Sequence, residues 1–322
     1  MITYIIRRLL QMIPVILGTT FLIYVLVYAL PGEPWEGRCG ERPCDQAYIN
    51  KFKADYNLDK PLLVQYVLYL GKLVRGDLGT NFYNNQVNDE LALRYPTTVI
   101  LAGMALIFEI VIGITAGVLA GINKGRFPDI AVTIITLILI SIPVFVIGGV
   151  TQLGVLKFNQ AIGASGSSFQ IPLTAMNASP PNAELVFSLV VPAFVLASLQ
   201  IAYIAKLTRG SLVENLRADY VRTAKAKGLT RGRTVGVHAL RNSLVPVVTQ
   251  IGTDFGSLMG GAIVTERIFN INGLGFFIFR SINQQDGVSV VGAITVLVLA
   301  FLLINLIVDV LYAFLDPRIS HD

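Results

Sequence analysis

The run VVGAITVLVLAFLLINLIV, residues 290–308, decides the fold class. It holds 19 residues without one Asp, Glu, Lys or Arg. As a helix rising about 1.5 Å per residue it reaches about 28 Å, close to the roughly 30 Å of a bilayer's hydrocarbon core. It lies within a longer apolar stretch, residues 288–315. Five more stretches read the same way: residues 9–30, 97–122, 130–153, 185–205 and 243–264. Lipid satisfies no backbone polar group, so such runs cross it as helices. The expectation is an all-α polytopic membrane protein with six transmembrane helices. The fifth stretch is the most polar, carrying Gln250, Asp254 and a set of glycines.

Composition agrees. Of 322 residues, 54% are hydrophobic and only 14% are charged, with a mean hydropathy of +0.66. Soluble domains average about 25% charged residues. Disorder, a basic nucleic-acid-binding domain and a small disulfide scaffold are excluded. The net charge of +5 is read by its location along the chain. Arg7 and Arg8 precede the first span, and Lys124 and Arg126 sit between the second and third. Residues 206–241 carry nine Lys/Arg against Glu214 and Asp219. These regions fall on one side, which the positive-inside bias makes cytoplasmic, with both termini inside. The first apolar run is longer than a signal-peptide core and is read as an uncleaved helix.

Residues 31–96 then lie outside, with eight basic residues balancing nine acidic ones. Within them PLLVQYVLYLG, residues 61–71, starts on a proline and is too short to span. It reads as an amphipathic helix at the outer interface. Cys39 and Cys44 lie in the same outer region, where a disulfide can persist. Their spacing leaves open both a small loop staple and two unpaired thiols, and nothing around them makes a metal motif.

Chemistry-bearing constellations are few. No G-x-x-x-x-G-K-[ST] loop, hydrolase triad, paired-carboxylate site or metal cluster is assembled. Gly113, Gly117 and Gly121 form one helical stripe, and Gly252, Gly256 and Gly260 another. Such stripes bring helix backbones together in lipid, within the chain or against a second subunit. Gln250, Asp254 and Ser257 recur at helical spacing on the fifth span, a candidate lining for a translocation path. Asp254, Glu109 and Asp309 must each face a cavity or a partner, because lipid solvates no carboxylate. Past the fifth span, residues 266–286 mix phenylalanines with Gly273 and Gly275. They read either as a flexible loop dipping toward a cavity mouth, there to contact a docked binding protein or to gate entry with Phe269, Gly273 and Gly275 as gate residues, or as an interfacial aromatic anchor.

The inner loop is the richest segment. ADYVRTAKAKGLTRGR, residues 218–233, places Asp219 at a helix start and Lys225 and Lys227 near its end, matching the helix dipole. Gly228 follows as a C-terminal cap. Tyr220, Arg222, Thr223 and Ala224 complete a short basic helix suited to docking. Retention of positive charge on the cytoplasmic side is the alternative.

At this loop the chain resembles the permease subunits of binding-protein-dependent ABC importers, in the dipeptide/oligopeptide branch. The family signature is E-A-A-x-x-x-G-x(9)-I-x-L-P. Arg222, Thr223 and Ala224 occupy the E-A-A positions, Gly228 the glycine, and His238, Leu240 and Arg241 the I, L and P positions. Arg222, His238 and Arg241 depart from the general form. DYVRTAKAKG (219–228) and HALRN (238–242) resemble its peptide-branch form. Further similar strings are LPGEP (30–34), LDKP (58–61), GDLG (76–79), TERIF (265–269), GLG (273–275) and LDPRI (315–319).

The resemblance implies a type I importer permease fold in one domain, 1–322. Residues 1–30 would form the N-terminus and first span, 31–96 the extracytoplasmic region and 97–205 spans two to four. Residues 206–242 would dock the ATPase, and 243–322 would form spans five and six and the C-terminus. It implies a second homologous permease, two cytoplasmic ATPase subunits, an extracytoplasmic solute-binding protein and a peptide substrate, in a bacterial or archaeal plasma membrane. The chain itself would bind no cofactor and be no enzyme, with ATP and Mg held by partner subunits. Nickel, glutathione or short sugars are alternative cargoes. Outside the family, a secondary transporter using the three intramembrane acids and a membrane scaffold remain the other classes.

Overall fold

The computed structural model describes residues 2–29, 35–39, 42–165, 169–172, 174 and 183–315. The strings at 30–34 and 316–319 lie outside the described residues. In chain order the helices are α1 (Ile2–Tyr28), α2 (Glu36–Cys39), α3 (Gln46–Asp55), α4 (Leu62–Val74) and α5 (Val87–Phe108). A π turn, Glu109–Gly113, leads into α6 (Ile114–Ile122), α7 (Phe127–Ser141), α8 (Val144–Ala164) and α9 (Ala183–Asn215). Then come α10 (Asp219–Ala226), α11 (Arg231–Arg233), a second π turn (Thr234–Ala239), α12 (Leu240–Ile268), α13 (Leu274–Asn283) and α14 (Gly287–Leu315). Among the described residues the one non-helical pairing is an isolated bridge between Thr80 and Gln86.

Among the described residues four helices are long and apolar enough to cross a membrane: Ile5–Tyr28, Val87–Ile122, Ala183–Asn215 and Gly287–Val310. The expected third span is not a single rod. The chain bends by 106° between α7 and α8. Pro143 is the cause. It offers no N–H to continue α7 and drives Ile142 into an extended conformation, φ −101° and ψ 127°. At 15 residues α7 reaches only about 22 Å, short of a full crossing. Continuous hydropathy hid this break, because both arms are apolar. As a helix α12 is long enough to cross, at 29 residues, but its polar side chains keep it outside the apolar group.

The chain divides into two units. The first comprises the described residues of Met1–Thr98 and Ile271–Asp322. Here α1 and α14 pack together, and Arg8 pairs with Asp309 at 3.3 Å, so this intramembrane acid has an ion partner in the bundle. The expected short outer helix is α4. Its tyrosines turn inward: Tyr66 donates to the Leu17 carbonyl at 2.8 Å, and the Tyr69 hydroxyl meets that of Thr295 at 2.9 Å. Its aliphatic face, Leu63, Val64 and Val67, is exposed. That polarity is inverted for a soluble helix and right for one lying against lipid.

The second unit comprises the described residues of Val99–Met176 and Pro181–Asn270. Its centre is α9, buried along most of its length. The glycine stripe of α6 and the preceding π turn lies on it. A Cβ at Gly113 would stand 2.9 Å from Ile204, one at Gly117 2.5 Å from Thr208, and one at Gly121 3.0 Å from Leu212. Three glycines four apart thus meet three side chains four apart. At the end of this contact Arg209 of α9 holds Asp129 of α7 with two N–H groups, the Nη2–Oδ2 bond measuring 3.0 Å.

Candidate functional site

Two features of the second unit can carry function: the α10 segment and the exposed side of α12. Asp219 opens α10, favourably placed at the positive end of the helix dipole. The helix ends in a Schellman motif. Leu229 N–H bonds the Ala224 carbonyl at 3.3 Å, and Gly228 N–H bonds the Lys225 carbonyl at 3.0 Å. Gly228 supplies the required φ of +77°, with open space around it.

Two faces result. Val221 and Ala224 are buried, Val221 in a cluster with Leu212 of α9 and Ala239 of the second π turn. Ala224 was expected on the docking surface, and the structure corrects this: it is only 6% exposed and belongs to the chain's own packing. The reason is spacing, since positions 221 and 224 share a helical face that must cover Leu212. Asp219, Tyr220, Arg222, Thr223, Lys225, Lys227 and Gly228 are exposed. Arg222 pairs with Asp219 at 3.2 Å, Thr223 donates to the Asp219 carbonyl at 2.9 Å, and Tyr220 donates to Asn215. Such solvated pairs fix side-chain directions more than they stabilise the fold.

On α12 the expected polar face separates into two. Asp254 points into the unit, is buried, and accepts from Gln250 Nε2 at 2.9 Å. Glu109, fully buried, faces it from the first π turn. The extra residue of a π turn rotates the helix locally, and here it brings Glu109 inward. Ser257, by contrast, is exposed, together with Thr249 and Thr253. These hydroxyls bond back to their own helix, Thr253 to the Gln250 carbonyl and Ser257 to the Asp254 carbonyl, each at 2.8 Å. The sequence reading missed Thr249 and Thr253. Their signal was a hydroxyl every fourth residue through Ser257.

The segment after α12 is not a flexible glycine loop. Phe269 is fully buried, Gly273 is extended with φ −112°, and Gly275 lies buried within α13. Leu274 N–H is held by the Thr98 hydroxyl at 2.8 Å. The gate expected at Phe269, Gly273 and Gly275 is therefore corrected to packed structure; the apolar periodicity of residues 274–283 wins over the glycines. Cys39 and Cys44 form a disulfide, with Cα atoms 5.3 Å apart. No group of three or more His, Cys, Asp or Glu suited to a metal occurs among the described residues.

Comparison with known proteins decides the family. Residues 113–321 match the binding-protein-dependent transport system inner membrane component, and residues 1–102 match the N-terminal part of such membrane components. The chain belongs to this family. It is 35% identical to the dipeptide transport system permease protein of Escherichia coli (strain K12), covering 100% of this chain and 99% of that protein. It is 34% identical to the dipeptide permease of Alkalihalophilus pseudofirmus and 34% to the glutathione transport system permease protein of Pectobacterium atrosepticum, over the full length of both partners in each case. The family makes the chain a multi-pass inner-membrane permease subunit, not an ATPase, working with partner ATPases and a solute-binding protein.

Proposed function

We propose that this permease imports di- or oligopeptides and that the exposed face of α10 is its coupling surface. Full-length similarity to dipeptide permeases supports the cargo. The similarity to glutathione permeases fits the same chemistry, since glutathione is itself a peptide. The arrangement would be six spans, with α7–α8 as the broken third and α12 as the fifth, and both termini cytoplasmic. A second homologous permease, two ATPase subunits and an extracytoplasmic solute-binding protein complete the transporter, in a bacterial or archaeal plasma membrane. ATP and Mg would be held by the ATPases and no cofactor by this chain.

One observation carries the coupling role: α10 is a closed helix with one face seated on the bundle and the other basic and exposed. Tyr220, Arg222, Thr223, Lys225 and Lys227 then meet the ATPase groove, while Val221 and Ala224 pass its movement inward. Thr249, Thr253 and Ser257 line the path, with Gln250 and Asp254 bracing that helix from within.

The test is charge reversal on the exposed face. Lys225→Glu combined with Lys227→Glu should leave membrane insertion and melting temperature unchanged, because both side chains lie in solvent. Co-purification of the ATPase subunits and ATP-driven uptake of dialanine should both fall at least tenfold. Parental retention of the ATPases by this variant would refute the docking surface.

A further inference from the structure

The first unit holds a polar cavity of about 270 Å³ between the segment around residues 81–94 and α13. Two guanidinium groups reach it, and their situations differ. Arg94 is committed. Its Nη1 bonds the Glu90 carbonyl at 2.7 Å and the Glu90 carboxylate, its Nε bonds Asn272 at 3.1 Å, and its guanidinium lies 4.8 Å from the Phe277 ring centre. Glu90 is committed as well, its second carboxylate oxygen accepting from Asn85 at 2.8 Å. Asp286, at the cavity floor, is buried. Its oxygens accept from the Ser289 hydroxyl at 2.7 Å and from the backbone N–H groups of Ser289 and Phe82.

Arg280 is left over. It is exposed and stands 5.8 Å from the Tyr83 ring centre, and no carboxylate of the described residues comes within ion-pair distance. Arg280 is thus the cavity's one guanidinium without an ion pair among the described residues, while the Asp286 carboxylate is taken up by the donors of Ser289 and Phe82. Gln284 donates to the Tyr83 hydroxyl at 3.0 Å and closes one rim. Helix α2, which ends at the disulfide-bonded Cys39, lies against that rim: a Cβ at Gly37 would stand 1.8 Å from the Gln284 carbonyl oxygen. Beside Arg280, Tyr83 is 58% exposed. An arginine beside an exposed tyrosine is a pairing that protein-contact hot spots favour, more than a site for a free ion.

We propose that this cavity receives a carboxylate side chain of the docked solute-binding protein, paired with Arg280 and flanked by Tyr83 and Gln284. This rests on the importer reading above, which puts residues 31–96 and the connection before α14 on the outer side. A guanidinium takes a carboxylate through two parallel N–H bonds, so the pair fixes register as well as attraction. A charge at such a rim sets association rate and salt dependence.

The test uses the assembled transporter in nanodiscs and its solute-binding protein loaded with dialanine. In Arg280→Glu the dissociation constant of the loaded binding protein should rise about tenfold. Arg280→Lys should recover part of that loss, because it keeps the charge but not the fork. Raising salt from low to physiological strength should weaken parental binding several-fold and leave Arg280→Glu nearly unaffected. An unchanged dissociation constant in Arg280→Glu overturns the proposal. So does a loss that disappears when dialanine amide replaces dialanine, because the cavity would then read the peptide's own carboxylate. A parental complex that binds no loaded binding protein refutes the importer reading itself, a result distinguishable from failure of Arg280 alone.

Discussion

Replacing Gly117 by alanine adds one methyl group at the closest approach between α6 and α9. That carbon would stand 2.6 Å from the backbone carbonyl oxygen of Ala205 and 2.5 Å from the Thr208 Cβ. The first distance is about 0.8 Å short of ordinary contact, which begins near 3.4 Å. Neither neighbour is the end of a flexible chain, so the helices themselves must separate. Overpacking of this kind costs about 1–3 kcal/mol. Alanine's better helix propensity returns about 1 kcal/mol, leaving a net loss of up to about 2 kcal/mol. The same substitution at Gly154, where nothing lies within 4 Å, should gain a little from propensity alone. Gly121→Ala meets the movable Leu212 side chain at 3.0 Å and should fall between the two. Melting of the detergent-purified chain, followed by size-exclusion chromatography after heating, should rank Gly154→Ala at or above the parent, then Gly121→Ala, then Gly117→Ala. Gly117→Ala melting as high as Gly154→Ala would refute the claim that this stripe sets the α6–α9 distance.

Two further outcomes are expected. Arg209→Lys keeps a cation beside buried Asp129 but loses the second N–H, and should cost about 1–2 kcal/mol; Arg209→Ala, leaving a buried carboxylate unpaired, should cost more. Equal melting temperatures for both variants and the parent would remove the bridge from the account. On α12, Thr253→Trp should block dialanine uptake in proteoliposomes without lowering the melting temperature, since Thr253 is exposed, whereas Asp254→Leu should lower both and Asp254→Asn less. Uptake at the parental rate in Thr253→Trp would take the hydroxyl face off the path.

Much of this was legible in the sequence, for reasons that differ by element. Long apolar runs with at most one charge each announced α1, α5–α6, α9 and α14, because burial in lipid demands near-continuous apolarity. The start of α10 at Asp219 and its stop at Gly228 were written in residues with one strong local preference each. The Cys39–Cys44 pairing was open, since sequence spacing does not report Cα separation. The bend at Pro143 was masked by hydropathy, although Ile142-Pro143 carried the local signal. What no local rule could supply was which way a face turns. Ala224 and Asp254 both sit on apparently usable faces, and both point inward, Ala224 on the face that covers Leu212 and Asp254 toward Glu109, neither of which is near in sequence.

That inward turn bears on how the proposed coupling surface works. A helix docked on both faces transmits displacement only if its inner face is stiff. Val221 is fully buried against Leu212, near the end of α9, and against Ala239, immediately before α12. Ser243, one turn into α12, donates to the Ala239 carbonyl at 2.7 Å and approaches the Ser211 carbonyl of α9 at 3.4 Å. One small cluster therefore ties α10 to the ends of α9 and α12, which pack against each other in the second unit. On the proposed docking, a push at Lys225 and Lys227 would reach α9 and α12 together rather than one after the other. On α9 the movement meets the close glycine contacts of α6, which resist separation. On α12 it reaches the helix that presents Thr249, Thr253 and Ser257. A close-packed α6–α9 pair as anchor and α12 as the responding element follows from this difference in packing, with the second π turn, at the N-terminal end of α12, as the point where backbone geometry is least regular.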